Sequence, residues 1–373
     1  MKKLIFRKII FDVLAFFLVS SFALTLIVWV IQAVNYLDFV SEDGHSFRVY
    51  FMFSVLTIPK IFSKISIFIF FISLFVIISK YEENNEILIL WTNGLKKTSF
   101  INSILLFSLV AFLFQIILTT FIVPKTQDLA RSYIRSSNID YFPSLIKPKK
   151  FIDTVEKLTL FVDEKDKDKM ENIFLKDNID SNSSQIVFAK NGYIITNDNK
   201  SYFILENGEI VNIDQGGTNI VKFERTIYNL SKYNTKTTTY PKIQEKNTNL
   251  LIRCIDSLIN KNIEFRTTTF SCEKNSINAF MQEAYKRIFA PSYILIVSLI
   301  ASYLVFISKS DSHYNKKKIL LFLIGVFFLT LSEISIRYVN YNSIKNVYLF
   351  FIPLGFTFLT YFYLLTKSKN KRI

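Results

Sequence analysis

Residues 81–100 read YEENNEILILWTNGLKKTSF. The stretch lies between two long apolar runs, yet it is neither a lipid-facing helix nor a slack linker. An acidic cluster leads, apolar residues follow, and a glycine and two lysines close it. Ile87, Leu90 and Trp91 recur at i, i+3, i+4, the period of one helix face. Glu82, Glu83 and Glu86 lie at its start, where carboxylates suit the helix dipole. Gly94 can end the helix in a left-handed conformation. The spacing therefore predicts a short amphipathic helix over about 81–95, joining two membrane spans. Such a helix can rest on the lipid surface, which ordinarily calls for Lys or Arg along its polar edge. It can instead be a coupling helix, a handle by which a partner moves the spans. Three leading carboxylates, able to meet a partner's Arg or Lys, favour the handle.

The rest of the chain supports a membrane setting. Of 373 residues, 50% are hydrophobic and 39 are Phe, more than a water-soluble fold of this size ordinarily holds. Six segments reach the roughly 20 apolar residues that a bilayer requires: 9–35, 49–79, 100–123, 288–308, 319–338 and 347–365. The second exceeds one bilayer thickness, so it is tilted, kinked or extends beyond the lipid, with Pro59 a candidate for the kink. The first is too long for a signal-peptide core and no small-residue cleavage site follows it. The net charge of +15 does not point to nucleic acid, because the cations flank apolar runs and no nucleic-acid motif is present.

Between the third and fourth spans the pattern changes. KLTLFV, NIFLKD, QIVFAK, YIIT, SYFILE, EIVNI and IVKFERTIYNL read as strands, with KNGY, NDNK, ENGE and DQGG as turn signals. The expected fold is an α-helical polytopic membrane protein of six spans, 3+3, with an inserted all-β, sandwich or jelly-roll-like domain. The domains are 1–123, 124–287 and 288–373. TNLLIRCIDSLINKN adds a short helix. Cys254 and Cys272 either form a disulfide, if that region is outside the cytoplasm, or stay unpaired; two His and this spacing do not suggest a metal. Fifteen Lys and Arg flank one set of span ends, whereas only Arg48, Arg337 and Lys345 lie in the opposite short loops. The positive-inside rule then puts both termini and residues 81–100 in the cytoplasm and the β domain outside.

No nucleotide site accompanies the handle. NGLKKTS lacks the first glycine and the spacing of a phosphate-cradling loop. If the spans are driven by ATP, the hydrolysis belongs to another chain, and this one binds no cofactor.

Several short motifs in order resemble the LptF/LptG permeases of the bacterial lipopolysaccharide exporter. NNEILILWTNGLKKTS is similar to the family's coupling helix. WVIQAVNYLDFVSEDG, with Trp29, Gln32 and Asp38, resembles the end of the first span in the LptF branch. TIPKIF keeps the family proline as Pro59. Ala189 to Gly192, Leu205 to Gly208, and Phe223 with Tyr228 match the β domain, and Glu283, Tyr285, Arg287 and Pro291 of QEAYKRIFAPS match the entry to the fourth span. Two departures stand out: Lys96 and Lys97 precede Thr98 after the coupling-helix glycine, and the second span carries Lys60 and Lys64.

The resemblance implies a permease subunit in the bacterial inner membrane. It would pair with an LptG-like sister permease, bind an LptB-like ATPase dimer through Glu82, Glu83, Glu86, Leu90, Trp91 and Gly94, and hand lipopolysaccharide to LptC/LptA-like bridge proteins in the periplasm. Arg48, Lys60, Lys64, Arg337 and Lys345, toward the outer end, are the candidates for its phosphates, with interfacial anchoring as the alternative role. Gln32 suits an interhelical hydrogen bond, and Arg287 an interfacial anchor. A mechanotransmitting or sensory protein of the same layout, moving an outer domain without carrying lipid, remains the alternative function. An enzyme finds no support, since no catalytic cluster is present.

Overall fold

The computed structural model describes residues 2–37, 46–136, 146–155, 158–166, 169–180, 183–197, 200–214, 217–229, 242–259, 266–267, 270–272, 276–340 and 345–370. The first half comprises α1 (Lys2–Asn35), α2 (Phe47–Leu56), α3 (Ile58–Glu83), α4 (Glu86–Thr92), α5 (Lys97–Ile117), a wide turn at Leu118–Ile122 and α6 (Val123–Ser136). Strands β1 (Phe151–Val155), β2 (Leu158–Asp166), β3 (Lys169–Asp180), β4 (Ser183–Asn197), β5 (Lys200–Asp214) and β6 (Gly217–Asn229) follow. The second half holds α7 (Thr248–Ile259), a hairpin of β7 (Arg266–Thr267) and β8 (Phe270–Ser271), α8 (Ile277–Ile288), α9 (Tyr293–Ser302), α10 (Tyr314–Tyr338) and α11 (Lys345–Asn370). Among the described residues, six stretches are long and apolar enough to cross a membrane: Ile5–Asn35, Phe47–Glu83, Lys97–Ile134, Ile277–Phe306, Tyr314–Tyr338 and Tyr348–Ser368. They fall on the six segments expected from hydropathy, three before the sheet and three after it in chain order. Two compact units divide the chain: Met1–Val30, Leu56–Asp128 and Pro241–Ile373 in one, Ile31–Val55 and Leu129–Tyr240 in the other.

In the first unit the second and fourth spans form the centre, 56% and 78% buried against 11–22% for the others. Phe71, Leu74 and Ile78 of α3 pack in one core with Val297 and Ala301 of α9. Polar groups inside lipid need partners within the protein. Ser66 donates to Gln115 Oε1 at 2.8 Å, and Gln115 Nε2 donates to the Ser63 carbonyl at 2.7 Å, clamping α3 to α5. The break in the second span is a change of helix at Thr57 rather than a kink inside one. Pro59 sits in the first turn of α3, where its missing N–H costs nothing. Pro124 is different, because it cannot donate to the Thr120 carbonyl one turn back. The helix widens there, and the Thr248 hydroxyl donates to that carbonyl instead, at 2.6 Å.

The second unit holds one open antiparallel sheet in the order β1-β2-β3-β4-β5-β6. The all-β insertion is thus present, and its described strands meander without the crossovers of a jelly roll. KNGY and ENGE do not turn the chain, since β4 and β5 run straight through them. Asn172 (φ 52°) and Asn207 (φ 55°) instead supply positive φ inside strands. Glu171 pairs with Asn191 and Ile173 with Ala189 on either side of Asn172. Such an irregularity swaps which residues face inward, and Met170 and Ile173, of opposite parity, are both buried. The scattered family motifs converge here: Ala189 pairs with Gly208, Gly192 with Leu205, Gly208 with Phe223 and Phe203 with Tyr228. The Tyr228 hydroxyl donates to Asp177 at 2.6 Å.

Gly325 of α10 sets how closely that helix approaches α3. A Cβ there would lie 2.1 Å from Phe71 Cζ, and Phe71 is fully buried and stacked on Phe322 at 5.7 Å. Gly325→Ala gains about 1 kcal/mol of helix propensity, but the overpacking costs about 1–3 kcal/mol with no free space for the ring. We expect Gly325→Ala to lower, and Gly325→Val to lower further, the unfolding temperature of the detergent-solubilised protein.

Candidate functional site

At one end of the spans, the predicted helix over 81–95 resolves into two pieces. Tyr81, Glu82 and Glu83 form the last turn of α3. Asn85, at φ 60°, breaks the helix, and α4 starts at Glu86. Gly94 (φ 72°) ends it as expected; the Leu95 N–H donates to the Leu90 carbonyl at 3.2 Å. Ile87 and Leu90 do form one face, but it is the inner one, 1% and 7% exposed. Trp91 is half-buried against the same core, its ring 6.1 Å from Phe100. Leu88 and Ile89 are exposed instead, at 58% and 56%. Because residues 87–91 are all apolar, periodicity alone could not choose between the faces.

The three glutamates also separate. Glu86 is met by its neighbour Asn84 at 3.2 Å. Glu82 accepts the Lys309 backbone N–H at 3.1 Å, and Glu83 pairs with Lys318 at 2.6 Å. Lys309 Nζ donates to the Glu83 carbonyl at 2.8 Å. The loop holding Lys309 is pinned by Asp311, which takes Lys317 and the His313 N–H; Lys317 beside it holds the Asp311 carboxyl below its ordinary range. Sequence reasoning had no signal for these partners, more than 200 residues away.

At the other end of α3, Lys60 and Lys64 line a small cavity of about 30 Å³ with Lys286, Gln127, Gln244 and Arg287. Three lysines thus converge from two spans, and Lys286 was not singled out from the sequence. Arg287 is 2% exposed and serves as an internal anchor. Its guanidinium donates to Glu283 (2.9 Å), the Lys246 carbonyl (2.8 Å), the Gln244 carbonyl (3.0 Å) and Thr248 Oγ1 (3.1 Å).

Arg337 is exposed at the end of α10, and Arg48 is exposed on α2 in the other unit. The Lys345 side chain and Asp38 lie outside the described residues. Gln32 accepts from Tyr36, in the turn just past the end of α1, at 3.4 Å. Cys254 and Cys272 form a disulfide. On the sheet, Phe161, Phe174, Phe188 and Phe223 line a groove of about 700 Å³ that crosses Asn172, Lys190 and Asn207.

These features define a polytopic membrane protein: six spans in two halves, one large β insertion between them, and a short helix with an outward aliphatic pair between spans two and three. Residues 7–367 match the family described as "Lipopolysaccharide export system permease LptF/LptG". The chain belongs to that family, whose description covers both branches. It is also similar to the uncharacterized protein RP871 of Rickettsia prowazekii (strain Madrid E), 24% identical over 216 residues, 57% of this chain and 60% of that protein.

Removing one partner of a buried charge pair leaves the other uncompensated. Arg287→Ala should therefore cost about 3–5 kcal/mol, and Arg287→Lys should not restore it, since an ammonium lacks the planar fork. Thermal unfolding of the two purified variants beside wild type checks this.

Proposed function

We propose that this chain is the LptF-branch permease subunit of an ABC transporter. That transporter takes lipopolysaccharide from the bacterial inner membrane and passes it to a periplasmic bridge. The family match over residues 7–367 carries the reading. A sister permease completes the lipid cavity, and a separate ATPase dimer hydrolyses ATP. The charge bias of the short loops supports cytoplasmic termini and a periplasmic β domain. The disulfide between Cys254 and Cys272 agrees, because disulfides persist in oxidising compartments.

In this reading α4 docks on the ATPase through Leu88 and Ile89, with Glu86 facing an Arg or Lys of that partner. Gly94 stops the helix so that the chain can enter the third span. Lys60, Lys64 and Lys286 meet phosphates of the glycolipid. A cavity of about 30 Å³ holds little more than a water, so the phosphate sits at the rim, where Lys64 is exposed. The row of Phe rings on the open sheet offers acyl chains an apolar slot. The edges of the open sheet, β1 and β6, are where bridge strands can add.

Co-expression with the sister permease and the ATPase tests the docking face. Wild type should retain the ATPase on purification, whereas Glu86→Lys, or Leu88→Asp with Ile89→Asp, should lose it. Retention by both variants would remove α4 as the contact. Photo-crosslinkers placed at Lys64 and Lys286 should capture lipopolysaccharide, and capture should fall when Lys60 is replaced by Ala. Equal capture without Lys60 would leave these lysines as interfacial anchors.

A further inference from the structure

The last turn of α3 holds helices on both sides of it. The Tyr81 hydroxyl donates to Asp12 of α1 at 2.5 Å. Asp12 lies inside the first span, where a carboxylate is costly without a partner. One and two residues further on, Glu82 and Glu83 hold Lys309 and Lys318, before and within the start of α10. A lone exposed ion pair stabilises little. Here three polar links reach one loop and its helix, and the Tyr81–Asp12 bond, with Tyr81 buried, adds a fourth on the opposite side.

The packing agrees with the links. Ile87 and Leu90 of α4 share a core with Ile9 and Val13 of α1 and with Leu321 and Phe322 of α10. The first and fifth spans are only 11% and 17% buried, so most of their surface lies outside this core.

We infer that Tyr81, Glu82 and Glu83 are positioning residues that transmit movement of α4 to the first and fifth spans, and are not themselves contacts of the ATPase. The inference rests on the transporter reading above. It reassigns Glu82 and Glu83, which the sequence alone places on the docking face, and leaves that face to Glu86, Leu88 and Ile89.

The test uses the full chain with its sister permease and ATPase in proteoliposomes loaded with lipopolysaccharide. Glu83→Gln, Lys318→Gln and Tyr81→Phe should each keep ATPase co-purification and ATP hydrolysis, while lowering lipopolysaccharide release about fivefold or more. The reversed pair, Glu83→Lys with Lys318→Glu, should recover release. Release at the wild-type rate in the single variants would reduce the pair to an inert surface contact. Loss of the ATPase from Glu83→Gln would make Glu83 a docking residue after all. Absence of an ATPase from the wild-type preparation would overturn the transporter reading instead. The positioning role of Glu83 is then decided on the chain alone, with spin labels at Ile89→Cys and Ile319→Cys. Broadening of their distance distribution by Glu83→Gln keeps it, and an unchanged distribution sinks it.

Discussion

A guanidinium stays charged at any physiological pH, so once Arg287 is buried the chain must bring acceptors to it. Residues 244–248 do so, with two carbonyls and a hydroxyl. Thr248 Oγ1 also serves the Thr120 carbonyl, which Pro124 leaves without its helical donor. Thr119 closes the circuit by donating to the Arg287 carbonyl at 2.8 Å. The widened turn of the third span, the return segment after the sheet and the entry to the fourth span are therefore one hydrogen-bonded unit. The cavity lined by Lys60, Lys64 and Lys286 has one wall made of this unit, so the spacing of its three ammonium groups depends on Arg287 staying satisfied.

Much of this architecture could be read from the residues. Six apolar runs, one β-rich insertion and the stop at Gly94 all follow from composition and period. What could not be read is long-range or degenerate. Residues 87–91 are apolar throughout, so the sequence marked a face at Ile87 and Leu90 without saying that it points inward. Lys286 joins Lys60 only because α8 passes α3, and Lys318 meets Glu83 across 235 positions. Asn-Gly pairs were misleading for a physical reason. A positive φ suits a hairpin turn and a strand irregularity alike, and here the ladder continues past Asn207.

The two ends of α3 show opposite uses of charge. At the Lys60 end, three lysines gather from separate spans beside one carboxylate, Glu283, which lies 3.9 Å from Lys286. At the Glu83 end, opposite charges from distant segments neutralise each other and tie helices together. One helix thus carries a lysine-rich cluster at one end and a cluster of paired opposite charges at the other. Gln115 of α5 clamps the Lys60 end of α3, through Ser63 and Ser66.

The crease at Asn172, Lys190 and Asn207 constrains how the sheet can evolve. Inward and outward faces exchange parity at this line, so the sheet behaves as two reading frames spliced across neighbouring strands. Deleting one residue from β3 alone would merge the frames there and turn Met170, or Ile173 and Leu175, out of the core. The neighbours β4 and β5 would still expect the splice. Length changes at this line are tolerable only when several strands change together, so the crease should persist through divergence that erases the identity of the residues forming it.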